Sequence, residues 1–228
     1  MMLPMRSSRI LPIAALCLAT LVPPACNIAT PALYVLQGPG KNPAEFTLPK
    51  DRKTVVFVDD RRNILSRLQL RSMLADDIGQ GIKSRELVTE IVSGRELIAY
   101  ARRVETSTKR VSIEELGRAV GADVVIYVEM ESFMLSPDGA TPKPTATARV
   151  KVVDVETKQR LFPPDGADPA GVPVSAEFEA MGNEAYRTSA ARRALEDTLE
   201  KRLADRIVKL FYEYERVDFG AGVSRLEG

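Results

Sequence analysis

The side chains that could do chemistry in this sequence are two groups of carboxylates and a cysteine. Asp59 and Asp60 close one apolar run, and Asp154 and Glu156 stand at the end of another. Carboxylates at strand ends offer the hard oxygen ligands that Mg²⁺ or Ca²⁺ takes, so a metal-assisted hydrolase built on them is one open reading. The other is that they are solvated, or paired with neighbours such as Arg61 and Arg62. The sequence has no histidine. That removes the commonest general base, the commonest metal ligand and every Ser-His arrangement. No P-loop, dinucleotide fingerprint or nucleophile elbow is present. Gly38-Pro39-Gly40-Lys41 lacks the flanking strand and the Ser/Thr of a phosphate loop, and reads as linker. No catalytic, cofactor-binding or metal residue is therefore assigned, no cofactor is expected, and the expectation is a protein that is not an enzyme.

Cys26 follows a segment built for export. Arg6 and Arg9 form a basic head, Ile10 to Val22 an apolar stretch, and Pro23, Pro24 and Ala25 lead into the cysteine. The stretch falls short of the roughly 20 residues that span a bilayer comfortably, which suits a removable signal. The segment resembles the lipobox of bacterial lipoproteins, although Pro23 and Pro24 fill the first two places and only Ala25 fits. The resemblance implies that residues 1–25 are a signal peptide and that Cys26 is the lipid attachment site, carrying a thioether-linked diacylglycerol. Cys17 would leave with the signal, so no thiol pair would remain for a disulfide. The alternative is a leader left uncleaved or cut elsewhere, with Cys26 an ordinary small residue. Asn27 is not the aspartate that retains many lipoproteins at the inner membrane, which points to the outer membrane, facing the periplasm.

Prolines at 31, 39, 43 and 49 interrupt the chain from Asn27 to Asp51. Residues 26–51 are thus expected to form a lipid-anchored extended linker, able to hold a domain up to roughly 80 Å from the membrane. An α/β domain is expected over 52–219 and a disordered tail over 220–228. The 45% apolar composition of the whole chain is ordinary for a globular protein. With 32 basic against 31 acidic residues, the overall balance carries no footprint for nucleic acid or for anionic lipid.

The elements that must position the carboxylates are legible along the domain. Thr54 to Val58 reads as a strand covered on both faces. Asn63 is expected to cap a helix with Ile64, Leu65, Leu68, Leu74, Ile78 and Ile82 at helical spacing. Leu87 to Val92 reads as a second strand. Ser93 with Glu96, and Ser112 with Glu115, stand in capping-box relation and predict helices from Gly94 to Arg103 and from about Ser112 to Gly121. Asp123–Leu135 and Thr145–Val155 predict an antiparallel hairpin with Ala140 at its tip. That register sets Glu131 against Arg149, Glu129 against Lys151, Met130 against Val150 and Val128 against Val152. Leu161-Phe162 and Val174–Met181 read as further strand, and Asn183 to about Tyr214 as a long helix with one apolar stripe. The fold class expected is α/β (α+β): a single mixed β-sheet of about five strands with helices packed on it and a long C-terminal helix.

In this order, Thr54-Val55-Val56-Phe57-Val58, Leu116 to Asp123 feeding Val124 to Val128, and Val152 to Lys158 resemble a group of bacterial envelope lipoproteins. The group includes the penicillin-binding-protein activator lipoproteins, the periplasmic domain of the curli secretion lipoprotein and the amino-terminal domain of the Tol system's periplasmic protein. The likeness covers about residues 52 to 214 and looks nearest to uncharacterised members. It implies a membrane-tethered module of the cell envelope. A curli-type pore is not expected, because Ser136–Pro144 and Pro163–Pro173 are too short and polar for hairpins of about 9 to 11 residues per strand. The function expected is non-enzymatic binding or scaffolding of another envelope protein, through a strand edge or the loops around Asp138-Gly139, Asp165-Gly166 and Phe162. Beside the hydrolase, the other alternative is a homo-oligomeric structural component assembled through the last helix.

Overall fold

The computed structural model describes residues 40–106, 110–182, 184 and 187–216. Cys26, the leader and the tail 220–228 lie outside them. Pro43–Tyr214 forms one compact unit. In the described part of the other unit, the Arg216 N–H donates to the Gly40 carbonyl at 2.6 Å.

All six residues of β1 (Thr54–Asp59) are buried. The reason is topological: β1 is flanked by two parallel neighbours, β2 (Ile91–Val92) and β3 (Val124–Met134). A strand inside such a sheet is covered on both faces and cannot alternate. The sheet continues antiparallel through β4 (Thr145–Asp154) and β5 (Arg160–Phe162), in the order β2-β1-β3-β4-β5, and β6 (Val172–Glu177) also pairs with β4. The helices are α1 (Leu68–Ser84), α2 (Gly94–Val104), α3 (Ile113–Ala119) and α4 (Ser189–Val208). α4 runs into a 3-10 turn at Lys209–Phe211. The mixed sheet and the long C-terminal helix packed on it are as the sequence predicts, although the helix runs from Ser189 to Val208 and Tyr214 is extended; Asn183, the expected start, lies outside the described residues.

α1 and α4 pack side by side. Leu70, Leu74, Ile78 and Ile82 of α1, and Leu199, Leu203 and Ile207 of α4, are at most 1% exposed. Burying each such side chain contributes roughly 1.5–3 kcal/mol. The apolar stripe of α4 is thus spent inside the molecule. α3 lies on the sheet face that carries Val125, and comes so close that a Cβ at Gly117 would stand 2.6 Å from Val155 Cγ2 and 2.7 Å from Val125 Cγ2.

Four expectations are corrected. The first helix starts at Leu68, not after Asn63, and Arg67 precedes it. Asp60 takes the capping role instead, accepting from the Ile64 N–H at 2.7 Å and the Leu65 N–H at 3.2 Å, and Asn63 sits at φ 52° within that turn. Ser93 does precede α2 but its hydroxyl makes no cap bond, whereas Ser112 accepts from the Glu115 N–H at 3.2 Å. The hairpin register is two residues away from the expected one: Val128 faces Val150, Tyr127 faces Lys151 and Glu129 faces Arg149, with an irregularity between Met130 and Ser132. A two-residue shift leaves every side chain on its face, so alternation cannot distinguish the registers. Lastly, the stretch expected as linker joins the domain at its end. Leu48 is buried and the Phe46 ring lies 5.5 Å from that of Phe162.

Candidate functional site at the carboxyl end of the parallel strands

β1 ends at Asp59, level with Glu129 of β3, which runs on past it to Met134. Ligands of α/β sheets enter at such strand ends. Asp59 is nevertheless 3% exposed, and it is held closed by its neighbours. The Tyr127 hydroxyl donates to Asp59 Oδ2. Arg61 Nη1 lies 3.2 Å from the same oxygen, while Arg61 Nη2 lies 2.9 Å from Glu105 Oε1. Burial, and then the hydrogen bond to Asp59, push the Tyr127 phenol well above its ordinary range. Lys151 Nζ stands 4.8 Å from the centre of the Tyr127 ring, a cation–π contact.

Above this closed pair lies a cleft of about 340 Å³ lined by Asp59, Arg61, Arg62, Arg110, Glu129 and Met130. Arg62 donates to the Met130 carbonyl at 3.1 Å and lies 3.7 Å from Glu129. Arg110 has no carboxylate in salt-bridge reach among the described residues. Beside the cleft, Arg71 donates from Nε to the Val58 carbonyl at 2.6 Å, and its guanidinium sits 5.2 Å over the Phe57 ring. Desolvation lowers its pKa, with Arg102 among the charges acting on it. Little in the sequence marks Tyr127 or Arg71 as parts of a strand end. A tyrosine inside an apolar run and an arginine on a predicted buried helix face were the only signals.

The second carboxylate group is elsewhere. Asp154 pairs across the sheet with Val124, whereas Asp59 lies level with Glu129. Five residues of strand at about 3.3 Å each separate the two levels. Asp154 binds Arg52 and caps its own turn, accepting from the Glu156 and Thr157 N–H groups at 2.9 Å each. The Arg52 hydrogen bond is the main cause that holds its carboxyl down at about 2. The structure therefore does not bring the two carboxylate groups together. Among the described residues, no group of three or more His, Cys, Asp or Glu could hold a metal ion.

Of the expected contact features, Asp165 is fully exposed, 3.7 Å from Arg160, whereas Phe162 and Asp138 are engaged within the molecule. Phe162 is 3% exposed and stacks between Phe46 and Phe211, so it is core rather than contact surface. Asp138 is exposed but accepts from the Ala140 and Thr141 N–H groups at 2.9 and 2.8 Å. These bonds organise its loop and hold its carboxyl at about 2. On the strand edge at β6, Phe178 donates its N–H to the Pro144 carbonyl. By alternation the Ser175 and Glu177 amides point away from β4, and Pro173 has none to offer, which leaves a short edge.

No protein-family model matches the chain, and no curated protein does. Solved structures similar to it include the hypothetical protein CT253 of Chlamydia trachomatis, at 16% identity and TM-score 0.41, over 70% of this chain and 94% of that one. PelC of Paraburkholderia phytofirmans, a dodecamer, is similar at 10% identity and TM-score 0.40, over 75% and 97%. The lipoprotein GNA1162 of Neisseria meningitidis is similar at 14% identity and TM-score 0.38, over 67% and 97%.

Proposed function

We propose that this protein is an envelope lipoprotein, tethered through Cys26 to the outer membrane and facing the periplasm, that binds or scaffolds another envelope protein without catalysing a reaction. The observation that carries this reading is the combination of an export leader ending in Cys26 with a domain whose candidate catalytic carboxylates serve as internal structure. Asp59 is bonded to Tyr127 and Arg61, Asp60 caps a turn, and Asp154 is bonded to Arg52. A side chain already committed to such partners would have to surrender them to bind a metal ion or activate water. Assembly through the last helix is less favoured, because α4 buries its apolar stripe within its own domain.

Crosslinking in intact cells, followed by mass spectrometry of the adducts, tests the reading. The expected result is a reproducible adduct with a second envelope protein. Adducts formed with cytosolic proteins would overturn it.

A further inference from the structure

A second opening, larger than the cleft at the strand ends, lies between α1 and α2. It is a groove of about 630 Å³, walled by Leu68, Gln69 and Ser72 on α1 and by Arg95, Ile98, Ala99, Arg102 and Arg103 on α2. Leu68 is 71% exposed. One exposed leucine is ordinary on a protein surface. This one forms the wall of a concave surface whose opposite wall is built on a helical repeat. Arg95 and Arg102 are seven residues apart, two turns along one face, with Ile98 and Ala99 between them. The groove thus has an uncharged wall on α1 and a cationic wall on α2, with apolar side chains between the cations.

The rim charges are not all satisfied from within. Arg95 lies 2.5 Å from Asp76. Arg102 has no carboxylate within salt-bridge reach among the described residues, and Arg103 rests 6.0 Å from the Tyr100 ring instead. The near balance of charge over the whole chain hides this local excess.

We infer that the groove between α1 and α2 is a docking site for an acidic amphipathic helix of a partner protein. A helix laid along it would set its apolar face on Leu68 and Ala99, over a floor formed by the buried Ile98, and its flanking carboxylates on Arg102 and Arg103. Apolar anchors at helical spacing between charged flanks are the usual form of helix-in-groove recognition. The distance from Arg95 to Arg102 along α2, about 10 Å, matches two turns of a partner helix. The shape decides against a bilayer surface, since a concave wall receives a ridge whereas membrane insertion needs a protruding apolar face. This inference rests on the reading of the protein as a binding module, and adds the chemistry of the partner and the place where it sits.

The test places a photocrosslinking amino acid at Leu68 of the full chain, expressed in its own cells, and sequences the crosslinked peptides. The result expected is a partner peptide with net negative charge and apolar residues at i, i+3, i+4 and i+7. Its yield should fall about tenfold or more when Arg102→Glu and Arg103→Glu are combined, because like charges would then face each other. A thermal melt of the double variant that matches the parent excludes misfolding as the cause, and Arg102→Lys with Arg103→Lys should retain the adduct. Crosslinks only to phospholipid, only to a second copy of this chain or to nothing would overturn the inference, as would a yield indifferent to the charge reversal. The intact mass of the same preparation reports acylation of Cys26, so failure of the tether is read separately from failure of the groove.

Discussion

Glu200 is the residue most at odds with its surroundings. It is 0% exposed on α4, and neither carboxylate oxygen has a hydrogen-bond partner among the described residues. Burial, followed by the charge of Asp77, pushes its carboxyl up to about 8. A native state that holds a proton the unfolded chain releases near pH 4.5 is most stable below that pH, and loses stability as pH rises toward 8. Glu200→Gln should remove this dependence and gain on the order of 3 kcal/mol relative to the parent by pH 8. Chemical denaturation at pH 5 and pH 8 would show it; parallel pH profiles for the two proteins would contradict it. Asp154 behaves in the opposite sense. Its carboxyl is held at about 2, so its stabilisation is present above the unfolded value near 4 and disappears as pH falls through 2. Asp154→Asn should cost roughly 1–2 kcal/mol at pH 7 and close to nothing at pH 2, measured by the same titrations.

Legibility differed by element, for physical reasons. β1 could be read from Thr54 to Val58 because a strand covered on both faces carries an unbroken run without polar alternation, a pattern that Val124 to Val128 of β3 repeats. The hairpin faces were legible but its register was not. Arg149 reaches Glu131 at 2.6 Å even though Glu129 stands directly opposite, so charge pairing alone supports either alignment. Ser112 caps its helix and Ser93 does not, which shows that a capping-box spacing only makes the bond available. Asn63 misled because Asp60, three residues earlier, already serves the free amides of that turn. Glu200 was hidden within the polar residues of α4. Gly117 also carried no visible signal, although α3 can lie against β3 and β4 only because that position lacks a side chain. Gly117→Ala should cost roughly 1–3 kcal/mol through contact with Val125 and Val155. Gly121→Ala would act differently, through its φ of 70° rather than through crowding. Thermal denaturation of Gly117→Ala paired with Val155→Ala separates the two effects: recovery in the pair is the outcome expected from crowding.

At the scale of the whole molecule, the protein consists of a compact unit from Pro43 to Tyr214 preceded by a segment bearing Cys26 and an apolar leader. The two carboxylate groups sit at different levels of the sheet: Asp59 and Asp154 are engaged with arginines, Asp60 caps a turn and Glu156 is exposed. Two of the open surfaces are a cleft framed by Arg61, Arg62 and Arg110 and a groove framed by Arg102 and Arg103. Both present cations outward, which fits a domain that meets acidic partners and carries no net field to hold them from afar. A short tether would supply the proximity that long-range attraction does not, by raising the effective concentration near the membrane. The account therefore depends most on covalent attachment at Cys26. Intact mass spectrometry of the protein extracted from its own cell envelope tests this directly. The result predicted is a chain lacking residues 1–25 and heavier at Cys26 by a diacylglyceryl group; an unmodified full-length polypeptide recovered from the soluble cell interior would contradict it.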